Sequence, residues 1–345
     1  MRKEIKIGNM SIGGEHPIAI QSMLSTSGDH PDACIRQARA LQDAGCEIVR
    51  MAVPDDTAVQ TLAKLKEKIS MPVVADIHFD HKLALEAAAA GADKIRINPG
   101  NIGSEENVKK VVTACRQRNI PIRIGVNGGS LEKDILAKYG APTPQALVES
   151  AMLHVKLLEK YDFENIVISI KSSNVKNMVE AYRIIASLCD YPLHIGVTEA
   201  GPGRKGVIKN AIGIGALLCD GIGDTIRVSL TDDPLEEIRA AREILASLDL
   251  LANTPQLISC PTCGRTRIDL IGLAGQVEEM LRDVRKPIKV AVMGCAVNGP
   301  GEAREADIGV AGGIGEGIIF KKGTILKKVP YDQILGVLKQ EIERL

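Results

Sequence analysis

The sequence predicts an α/β chain: an N-terminal (β/α)8 TIM barrel over residues 1–252, then a smaller C-terminal α/β domain over residues 253–345. Short β-type runs recur with amphipathic helical patterns between them, and strand–helix alternation means a parallel sheet. Eight such units in about 230 residues fit closure into a barrel, with a doubly wound open sheet as the second architecture. An internal echo supports regular units. Ala44-Gly-Cys-Glu-Ile-Val-Arg50 and Ala90-Gly-Ala-Asp-Lys-Ile-Arg96 repeat one helix-end, turn, strand-to-Arg phrase, and Gly223-Asp-Thr-Ile-Arg227 is a looser copy.

Taken in order, the strands read Ile18–Met23, Ile48–Val53, Val73–His78, Lys94–Asn98, Ile122–Asn127, Ile166–Lys171, Leu193–Glu199 and Thr225–Leu230. Helical patterns between them include Ala33–Ala44, Lys82–Ala90, Glu105–Arg118, Gln145–Lys160 and Val175–Leu188. Asn253-Thr-Pro-Gln256 reads as a linker, and the chain then changes character. A helix (Asp269–Val284), a strand (Ile288–Met293) and a glycine-dense loop are followed by a strand (Asp307–Val310), a strand-like Gly317–Phe320 and a closing helix (Tyr331–Leu345). Gly313-Ile-Gly-Glu-Gly317 is no dinucleotide fingerprint, because no helix follows it.

Composition narrows the class. Hydrophobic residues at 45% and charged residues at 25% supply a substantial core. The 43 basic and 43 acidic residues cancel, and aromatics are only 2% with no Trp, so nothing recruits or stacks nucleic acid. No apolar run reaches membrane length, and the chain opens on Met1-Arg-Lys-Glu-Ile-Lys rather than a signal peptide. A cytoplasmic protein with reduced thiols and no membrane partner is expected. Cys34, Cys46, Cys115, Cys189 and Cys219 stand singly in apolar helical or helix-end contexts and read as buried structural thiols.

Alternation along the strands selects the residues that point into the barrel mouth. In Lys94-Ile-Arg-Ile-Asn98 the isoleucines face the helices, leaving Arg96 and Asn98 inward. The same parity turns in Arg123 and Asn127, Ser169 and Lys171, and Arg227 and Ser229. Asp76 and His78 share a face, Arg50 closes its strand, and Glu199 ends the seventh. Chemistry in this fold sits at the carboxyl ends of the strands. Five cations (Arg50, Arg96, Arg123, Lys171 and Arg227) face two or three acids there. Buried charge without a partner is costly, so the excess calls for a polyanionic ligand, and arginine forks favour phosphate or diphosphate. Glu199 reads either as a counter-ion or as a general acid/base. Asp76 and His78 read as an orienting pair or a structural one, and His194 is left without a role.

The remaining thiols gather late in the chain, in Cys260-Pro-Thr-Cys263-Gly-Arg and Met293-Gly-Cys295-Ala-Val-Asn-Gly-Pro-Gly-Glu302. Closed zinc sites usually take two such knuckles or added histidines. Here one knuckle stands with a lone third cysteine, and no histidine follows residue 194. Zinc, structural thiols and an iron–sulfur cluster with an unusual fourth ligand all stay open on spacing alone.

Cys260-Pro-Thr-Cys-Gly-Arg-Thr266, Met293-Gly-Cys-Ala-Val-Asn-Gly-Pro-Gly-Glu-Ala303 and Ala306-Asp-Ile-Gly closely resemble the iron–sulfur domain of the 4-hydroxy-3-methylbut-2-en-1-yl diphosphate synthase family. The resemblance runs along the whole chain. It includes Ile20-Gln-Ser-Met23, Val49-Arg-Met-Ala-Val-Pro54, Ala75-Asp-Ile-His-Phe79, Ile95-Arg-Ile-Asn-Pro-Gly-Asn-Ile-Gly103, Arg123-Ile-Gly-Val-Asn-Gly-Gly-Ser-Leu131 and Gly196-Val-Thr-Glu-Ala-Gly201. The spacing matches the compact bacterial form.

The resemblance implies an oxidoreductase of the methylerythritol phosphate route to isoprenoids. It implies reductive opening of 2-C-methyl-D-erythritol 2,4-cyclodiphosphate with loss of water. Single electrons from reduced flavodoxin or ferredoxin pass through a [4Fe-4S] cluster held by Cys260, Cys263, Cys295 and the carboxylate of Glu302. The five cations would then hold the cyclic diphosphate, with Asn98, Asn127, Ser169 and Ser229 hydrogen bonding and Glu199 as proton donor. A linker of about ten residues spans at most roughly 35 Å. The last barrel helix ends opposite the active face, so the C-terminal domain does not readily cap its own barrel. A head-to-tail homodimer is expected, as the resemblance also implies.

Overall fold

A charged strand pair that the sequence reading passed over begins the chain. β1 (Ile5–Ile7) pairs antiparallel with β2 (Met10–Ile12). Ile5, Ile7 and Ile12 pack on Ala19, Ile48, Val74 and Val167, the inward residues at the amino ends of four strands. The hairpin therefore seals the base of a barrel. The computed structural model describes residues 1–296, 301 and 303–345, in two units, Met1–Leu250 and Leu251–Leu345.

The barrel strands are β3 (Ala19–Met23), β4 (Ile48–Ala52), β5 (Val73–Asp76), β6 (Lys94–Ile97), β7 (Ile122–Asn127), β8 (Ile166–Lys171), β9 (His194–Ile195) and β10 (Thr225–Ile226). They pair in parallel in the order β8-β7-β6-β5-β4-β3-β10-β9, and a bridge between Ile168 and Leu193 closes the ring. Around it lie α1 (Pro31–Asp43), α2 (Asp56–Lys68), α3 (His81–Ala89), α4 (Glu105–Gln117), α5 (Lys133–Tyr139), α6 (Pro144–Glu159), α7 (Val175–Leu188), α8 (Gly203–Cys219) and α9 (Pro234–Ser247). Asp55, Thr143 and Asn174 cap α2, α6 and α7 by accepting from first-turn N–H groups.

The repeated phrase has a structural cause. Its acid, just before each strand, accepts the N–H that opens a neighbouring strand: Glu47 from Ile20, Asp93 from Val73 and Asp224 from Leu193, at 2.9, 2.7 and 2.7 Å. Asp307 does the same for Lys289 in the second unit, at 2.9 Å. The seam between β8 and β9 is held differently. The buried hydroxyl of Tyr182 accepts from Ile170 N at 2.9 Å and donates to His194 O at 2.5 Å, standing in for ladder bonds.

The last two barrel strands are shorter than the sequence suggests, because helix side chains take their backbone groups. Glu237 accepts Leu230 N at 3.1 Å, while Asn210 accepts Ser229 N at 3.4 Å and donates to Ser229 O at 3.1 Å. β5 and β6 likewise stop before His78 and Asn98. Among the five single cysteines, Cys34, Cys46 and Cys115 are buried as expected. Cys219 is exposed and Cys189 only partly covered. Both lie where helices end, Cys219 as the last residue of α8 and Cys189 just after α7, beyond the faces packed on the sheet.

In the second unit the described residues form a five-stranded sheet, β11 (Gln256–Ser259), β12 (Lys289–Met293), β13 (Ile308–Gly312), β14 (Glu316–Lys321) and β15 (Thr324–Pro330), in that order. The first three are parallel and the last two antiparallel. α10 (Leu270–Leu281) and α11 (Ile334–Glu343) bury Leu273, Val277, Leu338 and Ile342 against Val290, Val292 and Val310. Gln256, read as linker, begins β11, and β15 was not foreseen. Both are edge strands, and β15 is exposed along most of its length and lysine-bearing, so hydrophobic alternation is weak. No described helix is long and apolar enough to cross a membrane.

Candidate functional site

Barrel interiors are usually filled by branched apolar side chains. Only the lowest layer is so here, on top of the hairpin. Above it Gln21, Lys94, Arg123, His194 and Thr225 are buried polar residues. β7 and β3 lie on opposite sides of the ring, yet Arg123 Nη1 donates to Gln21 Oε1 at 3.1 Å. The guanidinium thus lies across the barrel axis and floors a cavity of about 740 Å³.

Arg50, His78, Arg96, Arg123, Asn127, Ser169, Lys171, Glu199, Arg227 and Ser229 line that cavity. Ten of the twelve barrel residues selected by strand parity are therefore brought together. The other two stand behind the wall. Asp76, 3% exposed, bridges Arg50 Nη2 at 2.6 Å and Arg96 Nη1 at 3.0 Å. Burial alone would raise its pKa, but Arg50, His78 and Arg96 hold the carboxyl far below the usual range. Asn98 accepts from Gly100 N at 3.1 Å and donates to Ser130 Oγ at 2.9 Å, so its amide shapes a loop instead of facing the cavity. Arg96 Nη1 also lies 2.8 Å from His78 Nε2, which is 3.4 Å from Asp76 Oδ2. Arg96 lies flat over β7 because position 125 is glycine: a Cβ there would stand 2.4 Å from Arg96 Nε.

The charge balance is sharper than the sequence reading. Arg227 pairs with Glu237, a 4%-exposed residue of α9 that also accepts from Ser22. Glu237 was missed because it comes from a helix, outside the strand pattern. Lys94 was missed too, although it shares the parity of Arg96. Its Nζ is buried with no hydrogen-bond partner among the described residues. Burial first, then Arg123 and Arg50, depress its pKa strongly. Lys171 is depressed likewise, by burial and then by Arg227, Arg50, Arg123 and Arg96. Burial first, then Arg123, Lys171, Lys94 and Arg50, push the pKa of His194 well down, and its Nδ1 lies 2.8 Å from Thr225 Oγ1. Arg123 and Lys171 have no carboxylate partner among the described residues. Two or three negative charges of a bound anion would supply the missing compensation.

Glu199 sits exposed at the mouth with φ +52, an uncommon conformation for a residue with a side chain. Strained residues of this kind gather at functional sites.

The other candidate residues lie on the second unit. β11 and β12 are parallel with Ser259 opposite Val292, so the chain leaves both strands at the same end of the sheet, where Cys260 and Cys295 follow. Gly294 N donates to Cys260 Sγ at 3.1 Å. The exposed thiol of Cys263 is shifted down, first by the Arg265 N–H and also by the Arg265 side chain and Thr266. All three cysteines are free thiols. Thiolate sulfur that receives N–H bonds beside a cation is a donor set for a soft, thiophilic metal. Among the described residues no three such side chains converge on one point. Glu302, the expected fourth ligand, lies outside the described residues.

Residues 2–242 match the GcpE TIM-barrel domain, and residues 256–344 match the GcpE protein C-terminal domain. A Fusobacterium nucleatum protein named 4-hydroxy-3-methylbut-2-en-1-yl diphosphate synthase (flavodoxin) is 61% identical over 338 residues, 98% of this chain and 96% of its own. A protein of the same name from Caldanaerobacter subterraneus is 58% identical over 345 residues, covering 100% of this chain and 97% of its own. Among solved structures, dihydropteroate synthase from Stenotrophomonas maltophilia aligns at TM-score 0.52 with 11% identity, over 71% of this chain and 98% of its own. Yersinia pestis DHPS aligns at 0.51 with 13% identity, over 72% and 100%. At such identity the likeness is one of fold alone.

Proposed function

The chain belongs to the GcpE family, and from that premise we propose that it converts 2-C-methyl-D-erythritol 2,4-cyclodiphosphate to 4-hydroxy-3-methylbut-2-en-1-yl diphosphate. Two electrons enter, the ring carbon–oxygen bond breaks, and a hydroxyl leaves as water. The observation that carries this reading is a cation-floored cavity with too few acids, in a chain whose other unit holds three free thiols.

Arg50, Arg96, Arg123, Lys171 and Arg227 hold the diphosphate. Asn127, Ser169 and Ser229 hydrogen bond to it, while Asp76 fixes Arg50 and Arg96 from behind and His78 orients Arg96 from within the cavity wall. Asn98 acts through its loop. Glu199 delivers the proton that turns the departing hydroxyl into water. Cys260, Cys263, Cys295 and Glu302 would hold a [4Fe-4S] cluster, and when bound it supplies electrons one at a time. The donor is reduced flavodoxin, with ferredoxin the alternative, and the enzyme works in the cytoplasm as a head-to-tail homodimer.

Anaerobic turnover of the cyclic diphosphate with a one-electron donor tests the proposal. The expected result is the linear diphosphate from a brown enzyme, lost in Cys263→Ser. A colourless, zinc-loaded enzyme of full activity would overturn it. So would Glu199→Gln turning over normally, for the role of Glu199.

A further inference from the structure

The loops after β6 and β7 are built alike. Asn98 caps a 3-10 turn at Pro99–Asn101 through Gly100 N, and Asn127 caps one at Gly128–Ser130 through Gly129 N, each at 3.1 Å. Ser130 ties the two together, accepting from Asn98 at 2.9 Å and donating to Asn127 O at 3.2 Å. Asn127, Gly128 and Gly129 line the cation cavity, so the height of the paired loops sets one wall of it.

A close histidine–carboxylate contact lies behind that wall. His154 of α6, with a 4%-exposed side chain, holds Nε2 2.7 Å from Oε1 of Glu132, where the β7 loop runs into α5. The two groups stand within hydrogen-bonding distance, with the ring off the ideal line. Burial pushes the Glu132 carboxyl up, but His154, its own N–H and Ser150 bring it down to about 2. The pair reaches the other loop as well. A Cβ at Gly100 would lie 3.3 Å from Glu132 Oε1 and 3.3 Å from His154 Cε1. One His154–Glu132 contact thus abuts both loops, and neither residue lines the cavity.

We propose that His154 is a positioning residue for the anion pocket, setting the β6 and β7 loops through Glu132 and Gly100. This rests on the cyclic diphosphate reading above. His154 is absent from the cavity lining and touches no reacting group, so its loss acts on binding before chemistry.

The test is calorimetric binding of the cyclic diphosphate to the cluster-loaded enzyme, with steady-state kinetics beside it. His154→Ala is expected to weaken binding and raise KM about tenfold or more, with kcat within twofold and the visible spectrum unchanged. His154→Gln, whose amide can still donate to Glu132, restores most of the affinity. Gly100→Ala weakens binding in the wild type but adds little in the His154→Ala background. Wild-type affinity in His154→Ala overturns the inference alone, as does a fall in kcat with KM unchanged. If His154→Ala does not fold, unaltered affinity in Gly100→Ala overturns it. A wild type that does not bind the cyclic diphosphate overturns the proposed function and this inference with it.

Discussion

Removing the guanidinium of Arg123 relieves a buried charge and deprives the cavity of its floor in one step. Charge-assisted hydrogen bonds are worth roughly 1.5–3 kcal/mol, so Arg123→Met should weaken diphosphate binding by about 10- to 150-fold. The same variant should melt no lower than wild type, since its only described hydrogen bond is to Gln21. Lys94 separates the two effects, because it is buried without lining the cavity. Lys94→Met should raise the melting temperature and leave affinity near wild type. Its folded pKa lies below the unfolded lysine value of about 10.4, so below that pH the unfolded chain binds a proton that the folded chain resists. The gain from Lys94→Met should therefore be larger at pH 6 than at pH 9, by thermal unfolding at both. Parity along a strand makes Arg96, Arg123 and Lys171 legible from sequence. It cannot show that Asn98 is spent on its own loop or that Glu237 arrives from a helix, since both depend on side-chain partners distant in the chain or beyond the strand end.

Elements are held in register by a few side chains that replace backbone partners. Tyr182 is the clearest: its hydroxyl joins Ile170 N to His194 O across a seam with one bridge. Tyr182→Phe leaves both backbone groups unpaired and should destabilise by about 1–3 kcal/mol, read from denaturant midpoints. The acids of the repeated phrase do related work, which explains why the phrase was visible in the sequence before its purpose was. Strand existence was legible wherever isoleucine and valine alternate with polar residues. β9 and β10 were overextended because Thr198, Ser229 and their neighbours keep the alternating pattern after the ladder has ended. The hairpin was missed because three-residue strands are too short to show a period, and β15 because it is exposed along most of its length.

At the scale of the whole molecule, anion-binding residues and thiols lie on separate units of one chain. If each cluster serves the partner's pocket, two inactive variants can rescue each other. Mixing Arg96→Ala with Cys263→Ser and allowing subunits to exchange should restore about a quarter of wild-type activity, from one competent site in each mixed dimer. Sites completed within one chain would give no recovery. The barrel and the thiol-bearing unit were both legible in the sequence, because repeated strand–helix units and clustered cysteines are written locally.

The hairpin at the base has a consequence for traffic. Ile5, Ile7 and Ile12 plug the lower end of the barrel and Arg123 crosses the middle, so the base of the barrel is closed to traffic. Reactant and product must pass through the same doorway in opposite directions.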